Sequence, residues 1–219
     1  MTMDIRNKKI AFLGDSITVG VGTTAADKVY WKLLEQATGA NCFGYGISGT
    51  RIAKQHVPST PTTDRYFATR IDEMIPDADV VVVFGGINDY DHGDAPFGTH
   101  QDPTDDTFCG AVHLLMERLI ARYPEATVMF MTPLHFVNED EVTFSYYGSR
   151  RCGNLQMYVD AIIDAGAYYG IPVLDLYRTS GIQPRVEILR EKFMPDGLHP
   201  NDAGHARIAS RLQGFLTSL

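Results

Sequence analysis

Attack of a serine on a carbonyl needs a hydroxyl, an imidazole to take its proton, a carboxylate to fix that imidazole, and N–H donors for the oxyanion. Short stretches of this 219-residue chain carry those residue types. Gly14-Asp15-Ser16 closes an apolar run, Ile10 to Leu13, and offers a hydroxyl where a buried strand would end. Asp196-Gly197-Leu198-His199 sets a carboxylate and an imidazole three residues apart, a spacing at which one turn brings the two together. Gly49 and Ser16 can offer backbone N–H groups, and Asn88 a side-chain amide. Each stretch also has a plainer reading. Asp15 or Ser16 caps a helix, as these residue types do well. Asp196-Gly197 is an ordinary turn with His199 at a helix start, and Asn88 is a turn or cap residue. Asp15 and Asp89 are expected to hydrogen-bond loop backbone beside a reactive neighbour rather than to react.

The elements that would position these residues are legible as alternating periodicities. Strand-like runs occur at Lys9–Leu13, Asn41–Tyr45, Asp79–Phe84, Thr127–Met131 and Ile171–Leu174. Four consecutive valines, Val80 to Val83, suit a strand buried on both faces. Helical spacing links Tyr30, Leu33, Leu34 and Ala37; Phe108, Val112, Leu115 and Leu119; Leu155, Val159 and Ile162; and Ile208, Leu212 and Phe215. Asp102 and Pro103 are expected to cap and start the second of these helices. Strands alternating with helices imply βαβ units and a parallel sheet covered on both faces. In such a sheet ligands bind beyond the carboxyl ends of the strands. The Gly14, Gly46 and Gly85 segments each follow an apolar run there. The connections 85–104 and 132–153 are long, and long loops commonly carry function.

The four blocks, in this order, resemble those of the SGNH hydrolase superfamily, also called the GDSL esterase/lipase family. "GDSI" at 14–17, "YGISGT" at 45–50, "GIND" at 86–89 and "DGLHP" at 196–200 span nearly the whole chain. The resemblance implies a flavodoxin-like three-layer α/β/α sandwich with five parallel strands in the order 2-1-3-4-5. It also implies Ser16 as nucleophile, His199 as general base and Asp196 as its orienting partner. The Ser16 and Gly49 N–H groups and the Asn88 amide would form the oxyanion hole. No cofactor is implied. This is not the G-x-S-x-G elbow of α/β-hydrolases, because residue 18 is threonine.

Composition narrows the partners. Lys plus Arg number 19 against 27 Asp plus Glu, a formal net charge of −8. Nucleic acid is not the expected partner, since phosphate binding needs a basic face. No apolar run approaches the roughly 18 residues of a membrane helix, and the N-terminal stretch lacks signal-peptide character. The three cysteines fit neither a disulfide framework nor a zinc motif. One cytoplasmic hydrolase domain over residues 1–219, acting on a small ester, is the expectation. The reading favoured is a short-chain, acetyl-type esterase on a carbohydrate or other polar ester. Tyr90, His135, Phe136 and Tyr146 are candidate substrate contacts. A lysophospholipase or thioesterase is the alternative, with a channel formed from residues such as Phe97, Phe136 and Phe144. Two remoter rivals are a metal-dependent phosphoesterase using Asp89, Asp91, His92 and Asp94, for which a mobile acidic loop is the plainer account, and a nucleotide-binding module. The second lacks the third glycine of a dinucleotide fingerprint.

Overall fold

The computed structural model describes residues 3–140 and 153–219. Five strands, β1 (Lys9–Gly14), β2 (Asn41–Gly46), β3 (Val80–Phe84), β4 (Thr127–Met131) and β5 (Val173–Leu174), form one parallel sheet ordered β2-β1-β3-β4-β5. Burial explains the order. β3 is buried at every position and β1 at all but its first, as a central parallel strand must be. The edges are taken by β2, much of whose surface faces solvent, and by the two-residue β5, short enough to offer little unpaired backbone.

Alternation along the strands divides the core. Ala11, Leu13, Val81, Val83, Val128 and Phe130 face one way, against α4 (Phe108–Arg122) and α5 (Leu155–Tyr169). Ile10, Phe12, Val80, Val82, Met129 and Met131 face the other, against α2 (Tyr30–Thr38) and α8 (Asp202–Ser218). Each fully buried valine contributes on the order of 1.5–3 kcal/mol, so the run Val80–Val83 is a principal reason the sheet forms here. Shorter helices are α1 (Ser16–Val19), α3 (Ile87–His92), α6 (Leu176–Thr179) and α7 (Glu187–Phe193). Caps set the ends of the longer ones: Thr107 accepts from Gly110 N at 3.2 Å, Asn154 from Met157 N at 3.3 Å and Asn201 from Gly204 N at 3.1 Å.

Two expectations are corrected. Asp102-Pro103 does not begin α4; Thr107 does. The Asp102 carboxylate instead receives Thr99 N and Thr107 Oγ1, both at 2.8 Å, and so closes the loop before the helix. The connection 85–104 is not wholly loop, because its first residues form α3.

The register decides where chemistry can sit. Gly14 pairs with Gly46 on one side and with Phe84 on the other, and Phe84 pairs with Met131. The ends of β1, β2, β3 and β4 are therefore level. The segments that follow β1, β2 and β3 emerge side by side at the carboxyl edge.

Candidate active site

Ser16 is the first residue of α1, immediately after β1. Asp15 caps that helix, its Oδ1 accepting from Ile17 N at 3.0 Å. The capping reading of this stretch holds for Asp15, and Ser16 follows it as the first helical residue. Ser16 Oγ lies 3.1 Å from His199 Nε2. His199 Nδ1 lies 2.8 Å from Asp196 Oδ2. Asp196 Oδ1 also receives the backbone N–H groups of Leu198 at 2.8 Å and His199 at 2.7 Å. Burial raises the Asp196 pKa, but those two N–H groups and the His199 side chain outweigh it and hold the carboxyl below its usual range. An ionised carboxylate can only accept. His199 Nδ1 is therefore the donor to Asp196, and in the neutral tautomer Nε2 is left to accept from the serine hydroxyl.

Gly49 has φ +75°, a left-handed conformation that favours glycine. As the first residue of α1, Ser16 has an N–H without an intrahelical acceptor. Among the described residues neither this N–H nor that of Gly49 donates to a protein acceptor. Asn88, on α3, is 5% exposed, and its Nδ2 donates to Thr50 O at 2.9 Å.

Three buried charges brace this edge. Arg70 Nη1 donates to Tyr45 O at 2.8 Å, and its Nη2 to Gly14 O and Thr50 Oγ1, each at 3.1 Å. One guanidinium thus holds the ends of β1 and β2 and the segment following β2; burial pulls its pKa down to about 10. Asp89 receives Ile52 N at 2.9 Å and Ala53 N at 2.8 Å, fastening α3 to the same segment. Burial pushes the carboxyls of Asp15 and Asp89 up to about 6 against their local hydrogen bonds. The His199 segment is tied down separately. Asp202 receives Thr24 N at 2.8 Å and Thr24 Oγ1 at 2.6 Å, and His205 Nδ1 receives Tyr30 N at 3.2 Å. Burial drives His205 down to about 4, so this imidazole stays neutral.

The substrate contacts expected from sequence fare differently. Tyr90 has no exposed surface, and its hydroxyl donates to Asn138 O at 2.7 Å. Phe136 is buried against it, ring centroids 6.3 Å apart. Both are core residues: Tyr90 lies on the inner face of α3, and Phe136, at the start of the connection after β4, shows only one edge to a small void. His135 is partly exposed, paired with Glu139 at 2.6 Å and packed on the Tyr177 ring at 3.9 Å. Beside it lies a void of only about 10 Å³, lined also by Phe136, Ile17 and Leu198. Tyr146, with Phe144, Tyr147, Arg150 and Arg151, lies outside the described residues. Phe97 is packed into the core on Phe108 and Tyr158.

A depression of about 390 Å³ opens beside Gly49 instead. Arg51, Gln55, Ser59, Thr63, His92 and Asp94 contribute to its lining. No sequence pattern marks Arg51, Gln55, Ser59 and Thr63, since they come from an aperiodic segment whose lining role arises only when it folds back on α3. Arg70 likewise carried no signal. A larger cavity, about 570 Å³, lies away from this edge between α4 and α5; none of the three voids is lined by Ser16, Asn88 or His199 themselves, but the two smaller ones include their chain neighbours Asp15, Ile17, Ile87 and Leu198 or Gly49. Among the described residues no group of three His, Cys, Asp or Glu side chains is disposed to hold a metal. Asp89 is committed to backbone amides, and so is Asp94, which receives His56 N at 2.8 Å and Val57 N at 2.6 Å. Asp89, Asp91 and His92 lie in the helix α3, and Asp94 just beyond it, rather than in an open acidic loop. Nor is any described helix long and apolar enough to cross a membrane. Cys42 and Cys109 are free and buried; Cys152 lies outside the described residues.

A level-ended parallel sheet in the order β2-β1-β3-β4-β5, with helices on both faces, has the architecture of the SGNH-type, flavodoxin-like fold. Residues 12–207 match the GDSL-like lipase/acylhydrolase family, and the chain belongs to that family of carboxylic ester hydrolases. One solved crystal structure is 34% identical, with TM-score 0.84 and 99% of each chain covered. A Lactobacillus plantarum protein is 33% identical, with TM-score 0.81 and 98% of each chain covered. The acetyl xylan esterase AlAXEase, 23% identical with TM-score 0.61, shares the fold over 94% of this chain and 98% of its own. No curated protein matches the chain in sequence.

Proposed function

We propose that the protein is a serine esterase that removes short acyl groups, acetyl foremost, from a polar and carbohydrate-like alcohol. The observation that carries this is the line Ser16 Oγ, His199 Nε2, His199 Nδ1, Asp196 Oδ2, with contacts of 3.1 and 2.8 Å. In the reaction so read, Ser16 Oγ attacks the ester carbonyl while His199 Nε2 takes its proton. The oxyanion is received by the Ser16 and Gly49 N–H groups and the Asn88 amide. His199 returns the proton to the departing alcohol oxygen, leaving an acyl-Ser16. Water, deprotonated by His199, then attacks that ester, and the serine leaves with the proton. Asp196 stays ionised and steadies the imidazolium in both half-reactions.

The acyl preference is supported by the two sides of the cleft. Toward His135 and Phe136 the void of about 10 Å³ is scarcely the size of one water. Toward Gly49 the space is large, and Val57 and Pro58 line it together with Arg51, Gln55, Ser59, Thr63 and Asp94, so no continuous apolar channel runs from it. A buried methylene is worth about 0.8 kcal/mol only where apolar surface receives it. Acetylated polysaccharides are the substrates of two proteins of this fold: AlAXEase, and a two-domain esterase active on acetylated mannans that is 21% identical, with TM-score 0.61 and 96% of this chain but 48% of that chain covered. The test is kcat/KM across acetyl, butyryl, hexanoyl and octanoyl p-nitrophenyl esters, followed by acetate release from acetylated xylo-oligosaccharides. A decline with chain length together with acetate release is expected. A steady rise toward octanoyl would reject the acyl assignment.

A further inference from the structure

We infer that Arg51 and His92 are positioning residues, a hydrogen-bonded chain behind the oxyanion hole that fixes the orientation of the Asn88 amide. The inference rests on the reading of Asn88 as an oxyanion donor. An asparagine side chain presents either NH₂ or C=O to a site, and the two differ by a flip about its last bond. With Nδ2 forward, Asn88 stabilises a developing oxyanion. With Oδ1 forward, it repels one. Something must choose.

The choice is made by three contacts in series. Arg51 Nη2 lies 2.8 Å from His92 Nδ1. A guanidinium has donors only, so His92 Nδ1 must accept. The single proton of a neutral ring then lies on Nε2. His92 Nε2 lies 3.0 Å from Asn88 Oδ1, which must be the acceptor of that proton. On the other side of the amide, Asn88 Nδ2 donates to Thr50 O at 2.9 Å. A flip would set N–H against N–H at His92 and oxygen against oxygen at Thr50. Both ends therefore reject the wrong orientation, and one Nδ2 hydrogen is left for the cleft. Helix geometry makes this arrangement economical: Asn88 and His92 are four residues apart on α3 and so share a face. Arg51 Nη2 also reaches His92 O at 3.3 Å, tying the ring's own backbone to the same cation. Arg51 is itself 6% exposed and sits two residues after Gly49. The segment bearing one N–H donor thus carries the cation that orients another. In a low dielectric, successive hydrogen bonds polarise one another, so the cation also strengthens the final N–H.

The test is a mutant cycle on p-nitrophenyl acetate hydrolysis, with thermal melting of every variant. His92→Leu removes the donor to Asn88; kcat should fall about tenfold to a hundredfold, less than the roughly 10²–10³ lost when an oxyanion donor is removed outright, while KM moves less than about twofold. His92→Gln, whose amide nitrogen can donate to Asn88 Oδ1, should recover most of kcat. Arg51→Met should lower kcat in the same direction. In an Asn88→Ala background, His92→Leu should cost less than about twofold, because its effect passes through the missing amide. If Asn88→Ala alone leaves kcat unchanged, the oxyanion reading of Asn88 fails. If Asn88→Ala lowers kcat but His92→Leu costs the same factor with and without Asn88, the positioning chain is overturned and the oxyanion reading stands. If His92→Leu does not fold, Arg51→Met in the two Asn88 backgrounds gives the same decision. A His92→Gln enzyme as slow as Arg51→Met would also overturn the chain.

Discussion

Ser16 and its neighbour Asp15 are both buried. Asp15 is 1% exposed, and burial raises its carboxyl from the usual 3.8 to about 6. A raised folded pKa means that the folded state holds the proton more tightly. The stabilising contribution is complete below 3.8 and is lost as pH rises through about 6. At about 1.4 kcal/mol per tenfold change, keeping Asp15 ionised at neutral pH costs on the order of 3 kcal/mol. Asp15→Asn keeps an oxygen for the Ile17 cap and removes that cost. Relative to wild type, its melting temperature should therefore improve between pH 4 and pH 7. An unchanged difference across that range would show that Asp15 titrates elsewhere. At this scale the sequence was most informative about Ser16, Asp196 and His199, which come together as their types suggested, since each lies in a short local block. Tyr90 and Phe136 were not legible. An aromatic in or beside a loop gives no sign of which way it faces, and only the packing of α3 and the post-β4 segment decides that.

The element that matters most for placing Ser16 is α1, and it sits nearly in contact with the end of β2. A Cβ at Gly46 would lie 2.5 Å from Val19 N, 2.7 Å from Thr18 C and 3.0 Å from Asp15 O, all backbone atoms. Only a glycine lets the helix approach so closely. Gly46→Ala should therefore lift α1 and move Ser16 away from His199. A displacement of about 1 Å can cost on the order of a hundredfold in rate. Expected is a loss of at least that size in kcat/KM, with a lowered melting temperature; wild-type kinetics in a folded Gly46→Ala protein would refute the packing argument. Arg70 belongs to the same scale. Arg70→Met would remove three hydrogen bonds, to Tyr45 O, Gly14 O and Thr50 Oγ1, with Ile47 N remaining on Gly14 O; a hydrogen bond from a charged group is worth about 1.5–3 kcal/mol, so urea unfolding should detect a marked loss of stability. The five strands were legible because valine-rich and alternating runs have few other uses. The start of α4 was not. Asp102-Pro103 has the composition of a helix start, but its carboxylate closes a turn with Thr99 and Thr107, and the helix waits for Thr107.

For the whole molecule, the charge of −8 and the sheet order fit a hydrolase whose cleft lies along one edge. The carboxylates nearest that cleft are already spent: Asp89 and Asp94 on backbone amides, Asp196 on His199 and its own turn. Esterase activity should accordingly survive exhaustive dialysis against EDTA with unchanged kcat/KM; a loss restored by a divalent ion would revive a metal role for the α3 segment. The central claim, that Ser16 is the acyl-accepting nucleophile, is tested most directly by covalent labelling. Wild-type protein would be treated with a serine-reactive organophosphonate and mapped by peptide mass spectrometry beside Ser16→Ala. The account predicts one adduct, on the peptide carrying Ser16, with activity lost in proportion to labelling. It also predicts that Ser16→Ala stays folded, takes up no label and is slower by several orders of magnitude. An adduct on another serine, or a Ser16→Ala protein that still turns over ester at the wild-type rate, would contradict it.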